Sequence, residues 1–374
     1  MYHLYPQGGI RIKVYIRFKR FHNIRVTSLE SIKLTLSSYG PFDELELNLT
    51  PLTIITGPNA VGKSFLMRAV YAMLAPCRNG SLDVGAVASR LCNSSVCDEP
   101  KCLSRVLRRG SQTLELKVEA WGYSRGLRYD AKTGTIELLR ADCFPIESIL
   151  VPGYRAYLTL LPYFYRFIGE PIPEPHHFNS PVSAIATLAE PVAQRLVPEI
   201  GVEETSGVKL GEVASRFNEI IEEMFPEVKH FNISLPGISR TPSIMPLLPA
   251  SILHSYPLVA AIAYAETLSQ KGVRTVLIIE EPELGLDFRR QRLLAQHLVS
   301  AVKKAKGTLM VILSTHSIEM LISLTKEVAG RRMRKHVKVC EVVDGRVRRE
   351  SIGGTGRVYV KHMFEELAEI YGDM

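Results

Sequence analysis

The chain has 374 residues and a mass of 41.8 kDa, with 46% hydrophobic and 22% charged residues and a mean hydropathy of +0.06. That balance excludes a disordered or collagen-like chain and allows a substantial core, in one large or two ordinary domains. Lys and Arg number 46 against 38 Asp and Glu, so the net charge is +8 and the pI is near 9.1, which permits contact with a polyanion without requiring it.

Residues 1–28 read as a basic N-terminal extension. Arg11, Lys13, Arg17, Lys19, Arg20 and Arg25 interrupt every apolar run there, so no signal peptide is read and a cytoplasmic protein is expected. Within it, residues 10–21 mostly alternate apolar and basic, as in a strand with one basic face. Such a strand is either a ledge for nucleic-acid phosphates or a solvated edge protected by its charge. Short strands follow at Ile32–Leu36, Leu45–Leu49 and Leu52–Thr56, the first two joined through Tyr39-Gly40-Pro41, and then a helix at Ser64–Leu74. Residues 76–110 read as loop. Alternation returns at Leu114–Ala120 and Leu127–Leu139, with turns at Gly122 and Gly134.

Residues 141–249, rich in proline and without strict period, read as a mainly helical insertion or lid, with helices at Ser183–Leu196 and Val213–Phe225. Thr241–Ala265 carries no charge and is long enough to span a bilayer, yet Pro242, Pro246, Pro249 and Pro257 break it around His254. A buried loop leading into a helix at Leu258–Leu268 is the better expectation. Then come an apolar strand Val273–Ile279, a helix from Phe288 to Lys306, and a second apolar strand from Thr308. Apolar strands separated by helices indicate a parallel sheet covered on both faces. A hairpin, Val337–Val343 with Arg346–Ile352 across Asp344-Gly345, and a helix Val360–Tyr371 end the chain. No internal repeat and no coiled-coil heptad run is present.

Between the strand ending at Thr56 and the helix stands Gly57-Pro58-Asn59-Ala60-Val61-Gly62-Lys63-Ser64, a full G-x-x-x-x-G-K-[ST] match. Glycines let the main chain wrap a phosphate so that several N–H groups point inward, at the positive end of the following helix. Lys63 would reach the β- and γ-phosphates, and Ser64 would give its hydroxyl to Mg²⁺.

The strand Val276-Leu277-Ile278-Ile279 runs into Glu280-Glu281-Pro282-Glu283. Carboxylates at the C-terminal edge of a parallel sheet stand in the ligand crevice, where the phosphate loop also emerges. Glu280 would hold Mg²⁺ through water, with one methylene more than the usual Asp, and Glu281 would polarise the attacking water. His316, delivered by the neighbouring strand in Ser314-Thr315-His316-Ser317, is placed to bond a γ-phosphate or that water. Asp287 reads as the N-cap of the helix from Phe288, as a residue at a subunit contact beside the nucleotide, or as both.

These segments, with Leu284-Gly285-Leu286-Asp287, resemble the Walker A, Walker B, D-loop and switch-histidine motifs of an ABC-type ATPase. The branch resembled is the SMC/RecF/OLD-like group of stand-alone AAA-type ATP-binding proteins. Ser31–Thr56 is similar to that branch's N-terminus, and Val151-Pro152-Gly153-Tyr154-Arg155 to a shorter motif ahead of its helical region. The resemblance covers residues 29–75 and 250–350. It implies an α/β P-loop NTPase with an ABC-ATPase-like mixed or parallel sheet flanked by helices, plus a helical insertion. The ATP-binding domain would be discontinuous, 29–140 with 250–374.

It further implies two subunits that sandwich ATP and Mg²⁺, with Ser64 and Glu280 at the metal, Glu281 as general base and His316 as γ-phosphate sensor. The opposing subunit would close the site with a Leu-Ser-Ser-Gly-type signature. Spacing places Leu253-His254-Ser255-Tyr256 there, so Ser255 is a candidate phosphate contact and Tyr256 stands where glycine is expected, an obstruction to close approach. Ala60 in place of a glycine is a milder departure. The function implied is Mg²⁺-dependent ATP hydrolysis coupled to a nucleic-acid-related process. The alternative, motivated by Tyr256, is a nucleotide-gated binding module with little hydrolysis. Without a long coiled coil or room for a Toprim domain after His316, any nuclease would be a partner effector protein. DNA or RNA contact is suggested by Arg331-Arg332-Met333-Arg334-Lys335 and Arg346–Arg349. Cys92, Cys97 and Cys102, with Cys77 upstream, are free thiols, disulfide partners or zinc ligands; their spacing is not the usual C-x₂-C, and free thiols are expected first.

Overall fold

The computed structural model describes residues 31–75, 77–78, 80–92, 99–153, 210–227 and 250–350, with 352, 358 and 360. The basic extension and its strand, the helix expected at 183–196, all of the helix expected at 360–371 except Val360, and Tyr154, Arg155 and Cys97 lie outside the described residues.

Two sheets enclose one helix. Strands β1 (Ile32–Tyr39), β2 (Phe42–Leu49), β6 (Thr113–Ala120), β7 (Tyr123–Asp130) and β8 (Thr135–Ala141) form an antiparallel sheet in the order β2-β1-β6-β7-β8. The second sheet runs β13-β12-β3-β11-β10-β9. Its members β3 (Leu52–Thr56), β9 (Ile146–Val151), β10 (Arg274–Glu280), β11 (Leu309–Ser314) and β12 (Val337–Val343) are mutually parallel, and β13 (Arg346–Glu350) is antiparallel at the edge. A two-strand ribbon, β4 (Cys77–Arg78) with β5 (Ser81–Leu82), stands apart.

The central strands are apolar throughout because each face meets a different core. Val276, Ile278, Met310 and Ile312 pack with helix α1 (Lys63–Met73) and the inner face of the antiparallel sheet, through Leu34, Leu36, Leu116 and Val118. Leu277, Ile279, Val311 and Leu313 face the other way. There they meet α4 (Leu210–Met224), α5 (Ala250–Gln270), α6 (Phe288–Lys304) and α7 (Ile318–Gly330).

Several expectations are corrected. Residues 76–110 are not simply loop, since α2 (Val84–Cys92) and α3 (Glu99–Val106) pack there. The alternation at 127–139 with its turn at Gly134 is found as expected, in β7 and β8. Strand β9, which the boundary at 140 places in the insertion, pairs in register with β10 and belongs to the parallel sheet. The loop expected before Leu258 is helix: α5 continues through Pro257, although a mid-helix proline costs about 3 kcal/mol. Burial on every side offsets that cost, with Ile252, Tyr256 and Leu258–Ala265 all in the core. No helix among the described residues is long and apolar enough to cross a membrane.

The cysteines are corrected as well. Cys77 bonds Cys143 and Cys92 bonds Cys102, Cys340 is a buried thiol, and no group of three or more potential metal ligands occurs among the described residues. A zinc site at Cys92, Cys97 and Cys102 therefore loses two of its thiolates. The fully buried Arg125 lies beside the first bridge. It donates at 2.7 Å to Met73 O and to Ala75 O, and at 3.0 Å to Asp142 O. These bonds satisfy carbonyls left over at the end of α1 and fasten that helix to the antiparallel sheet.

Candidate nucleotide site

Parallel strands end at a common edge, and this edge collects the motifs. Register pairs Glu280 with Ser314, Ser314 with Ile55, and Ile279 with Val151. So the loop after β3, the carboxylates after β10, His316 after β11 and Gly153 after β9 emerge side by side.

The loop from Gly57 to Gly62 owes its path to left-handed backbone. Gly57 has φ 141°, and a Cβ there would lie 2.2 Å from Val342 O. Gly62 has φ 112°, and its Cβ would lie 2.4 Å from Pro41 Cγ. Ala60 takes φ 62° despite its side chain, at a cost on the order of 1 kcal/mol. Gly62 caps α1 without a side-chain hydrogen bond, which leaves the first-turn amides as donors for an anion. Pro58, Asn59 and Val61 complete the turn. The Lys63 ammonium is buried and bonds Gly57 O at 2.8 Å and Pro58 O at 2.5 Å. A phosphate would take over donors that now hold the loop to itself.

Ser64 begins the helix and donates its hydroxyl to the Glu280 carboxylate, which also accepts from Gly153 N at 3.3 Å. Burial raises the Glu280 pKa, the nearby Arg68 charge and these hydrogen bonds lower it, and Glu281 raises it. An oxygen-only donor set of hydroxyl and carboxylate suits a hard divalent cation such as Mg²⁺. Gly153 belongs to the Val151–Arg155 motif noted in the sequence, where no contact with the carboxylates was assigned to it. A Cβ on it would stand 3.3 Å from Glu281 Oε2, so a side chain there would make that carboxylate give by a few tenths of an ångström.

Glu281 takes a left-handed φ of 47°, and its Oε1 lies 3.5 Å from His316 Nε2. Both side chains remain partly exposed, at 37% and 29%, so the pair is open to a substrate. Glu283 is mostly buried; its Oε1 accepts from His316 N at 2.7 Å and from Ser317 N at 3.3 Å. Desolvation raises the Glu283 pKa, with the Glu281 charge adding to it, against hydrogen bonds that lower it. Its part was missed in sequence, although a third carboxylate in Glu-Glu-Pro-Glu was the available signal.

Asp287 caps α6, accepting from Arg290 N at 2.9 Å while pairing with Arg290 Nη1 at 2.8 Å. Its side chain is 54% exposed beside Phe288, itself 73% exposed, which leaves a subunit contact open as a second task. Arg290 also donates to Met224 O and pairs with Glu227, tying this corner to the end of α4.

Ser255, the candidate contact to an opposing subunit's nucleotide, is not exposed for it. It lies inside α5, fully buried, with its hydroxyl on Ser251 O at 2.7 Å. Tyr256 is likewise a core residue, its ring 4.8 Å from that of Phe217 at 64°. The expectation that Tyr256 obstructs a phosphate is therefore overturned, because its ring fills the α4–α5 contact. His254 lies closer to the crevice: a Cβ on Gly285 would meet His254 Cδ2 at 3.2 Å.

Strand order, phosphate loop and acidic strand end define the class: an α/β domain whose P-loop and carboxylates share the C-terminal edge of a parallel sheet. Two family models match the chain. One, an AAA domain described as a putative AbiEii toxin of a type IV TA system, matches residues 253–322; another, an AAA domain, matches residues 31–77. These segments contain the carboxylates, His316 and the phosphate loop. A search of curated proteins found no match. Among solved structures the chain is similar to an SMC head bound to the C-terminal winged-helix domain of ScpA, at 12% identity and TM-score 0.46, covering 89% of this chain and 98% of that one. It is similar to the SMC head domain of Thermotoga maritima at 15% identity and TM-score 0.41, covering 86% and 99%. The recombination mediator protein RecF with ATP gives 10% identity and TM-score 0.43, covering 87% and 100%.

Proposed function

We propose that the chain binds ATP with Mg²⁺ and hydrolyses it, closing as a homodimer around the nucleotide. The observation that carries this reading is the Glu281–His316 pair, 3.5 Å apart, beside the Ser64–Glu280 contact at the mouth of the phosphate loop. Amides of residues 57–64 and the Lys63 ammonium bind and orient the phosphates. Ser64 and Glu280 would hold Mg²⁺, which supplies charge neutralisation to the phosphates when bound. Glu281 accepts the proton of the attacking water, and His316 bonds the γ-phosphate or orients Glu281. Exposed Asp287 and Phe288 offer the second subunit a polar and an apolar contact next to the site.

The cycle would serve a nucleic-acid-related process, whether DNA repair, maintenance or defence, with a partner effector protein. Exposed Arg332, Arg334, Lys335, Arg346, Arg348 and Arg349 support a polyanion contact near the edge strand β13. The alternative of a module with little hydrolysis rested on Tyr256, which is buried in the core. A cytoplasmic location combined with two disulfides is the pattern of intracellular hyperthermophile proteins; in an ordinary reducing cytosol both bridges would open.

Replacing Glu281 by Gln tests the reading, because it removes the base but preserves shape. Phosphate release should fall at least about 100-fold while ATP still binds. Undiminished release would remove Glu281 from its role.

A further inference from the structure

Proton transfer from water needs the Glu281 carboxylate and the His316 ring at a fixed separation, yet each sits on a loop past its strand. Glu281 is held on its own side by Glu281 N to Ser314 O at 2.9 Å and by Leu284 N to Glu281 O at 3.1 Å. What holds His316 is Glu283. Its Oε1 takes the His316 N–H at 2.7 Å and the Ser317 N–H at 3.3 Å, and the Thr315 hydroxyl donates to the same carboxylate. A second path runs parallel to it: Ser317 Oγ meets Gln291 Oε1 at 2.6 Å, and Gln291 Nε2 donates to Leu286 O at 2.9 Å. The turn after β10 and the turn after β11 are thus stitched together twice, 33 residues apart in sequence at Glu283 and His316.

A carboxylate is a costly way to make a purely structural link. The side chain is largely desolvated, and Glu283 Oε2 is buried with no hydrogen-bond partner among the described residues. Two features favour the charge all the same. It lies at the N-terminal end of α7, where the helix dipole stabilises an anion. It also bonds main chain at the very residue whose ring faces Glu281, so its position is read out directly as the position of that ring.

We propose that Glu283 is a positioning residue for hydrolysis: by gripping the main chain of His316 and Ser317 it sets the His316 ring against the Glu281 carboxylate. The proposal rests on the reading of Glu281 and His316 as the hydrolytic pair. It assigns Glu283 no contact with nucleotide, so nucleotide affinity is independent of it.

The test uses the full chain, with steady-state hydrolysis and calorimetric binding of Mg-ATP for wild type, Glu281→Gln, Glu283→Ala, Glu283→Asp, Glu283→Gln, His316→Ala and the Glu283→Ala/His316→Ala double variant. Glu283→Ala should lower kcat about 30-fold, within the range a displacement near 1 Å produces, with KM and ATP affinity within about threefold of wild type. Glu283→Gln keeps an oxygen acceptor for both N–H groups and should recover to within about threefold of wild type. The double variant should be no slower than His316→Ala, because Glu283 acts through that ring. If Glu283→Ala does not fold, Glu283→Asp, whose carboxylate is withdrawn by one methylene, should show the same kcat loss at unchanged KM. A wild-type kcat in both Glu283→Ala and Glu283→Asp, an additive double variant, or loss of ATP affinity in step with kcat would overturn the proposal. Those failures are separable from failure of the functional reading, which would show as an inactive wild type or an active Glu281→Gln.

Discussion

Tyr256 separates what the motif pattern implies from what the packing dictates. If its ring stood over a partner's phosphate, Tyr256→Gly would relieve an obstruction and raise hydrolysis. In the structure the ring is 1% exposed and packs edge-on against Phe217, between α4 and α5. Truncating a buried aromatic side chain to alanine costs about 3–5 kcal/mol, and glycine within a helix adds about 1 kcal/mol. Tyr256→Gly should therefore lose roughly 5 kcal/mol and Tyr256→Ala about 4 kcal/mol. With a urea dependence near 3 kcal/mol per molar for a chain of this size, the glycine variant's unfolding midpoint should fall by about 1.7 M. Urea unfolding followed by circular dichroism gives the stability, and phosphate release below the transition gives the activity of the folded fraction. A glycine variant with a wild-type midpoint and faster hydrolysis would refute the core assignment and return Tyr256 to the nucleotide.

Two further outcomes follow from particular atoms. Gly57→Ala should weaken Mg-ATP binding at least about tenfold, since its Cβ would collide with Val342 O at 2.2 Å and the loop must move; an unchanged calorimetric affinity would count against the loop geometry. Glu147 sits on β9 with its pKa pushed up to about 7 by burial, against the pull of Arg90, from a usual value of 4.5. The native state keeps a proton that the unfolded chain releases, so this group's contribution is full below pH 4.5, declines as pH rises and is gone above about 7. Glu147→Gln should remove roughly 2–3 kcal/mol from the loss of stability between acidic and mildly alkaline pH, and urea midpoints at the two ends would detect an unchanged slope.

How much was legible depended on how local the cause was. β3, β10 and β11 were readable because two-sided burial demands nearly unbroken apolar runs, and α1 because it opens at the end of the phosphate-loop motif. β9 was harder, since only four of its six residues are apolar and it stands at the sheet edge inside a proline-rich stretch. α5 defeated the proline rule because tertiary burial outweighed the local penalty. In the disulfides, pairing Cys77 with Cys143 depends on a sequence separation of 66 residues that spacing rules do not see.

Taken alone, the chain determined that a strand, a glycine-rich turn and a helix start would present amides to an anion, and that two carboxylates would cap an apolar strand. Both are effects of consecutive residues, set by backbone freedom at glycine and by the partition of charge from the core. Only the tertiary structure decided which groups meet. Gly153 reaches Glu280 across 127 residues, Glu283 grips the turn that carries His316, and Tyr256 faces Phe217 rather than the nucleotide. Those outcomes depend on strand register and helix rotation, where one step along a strand or a quarter turn of a helix exchanges core for crevice.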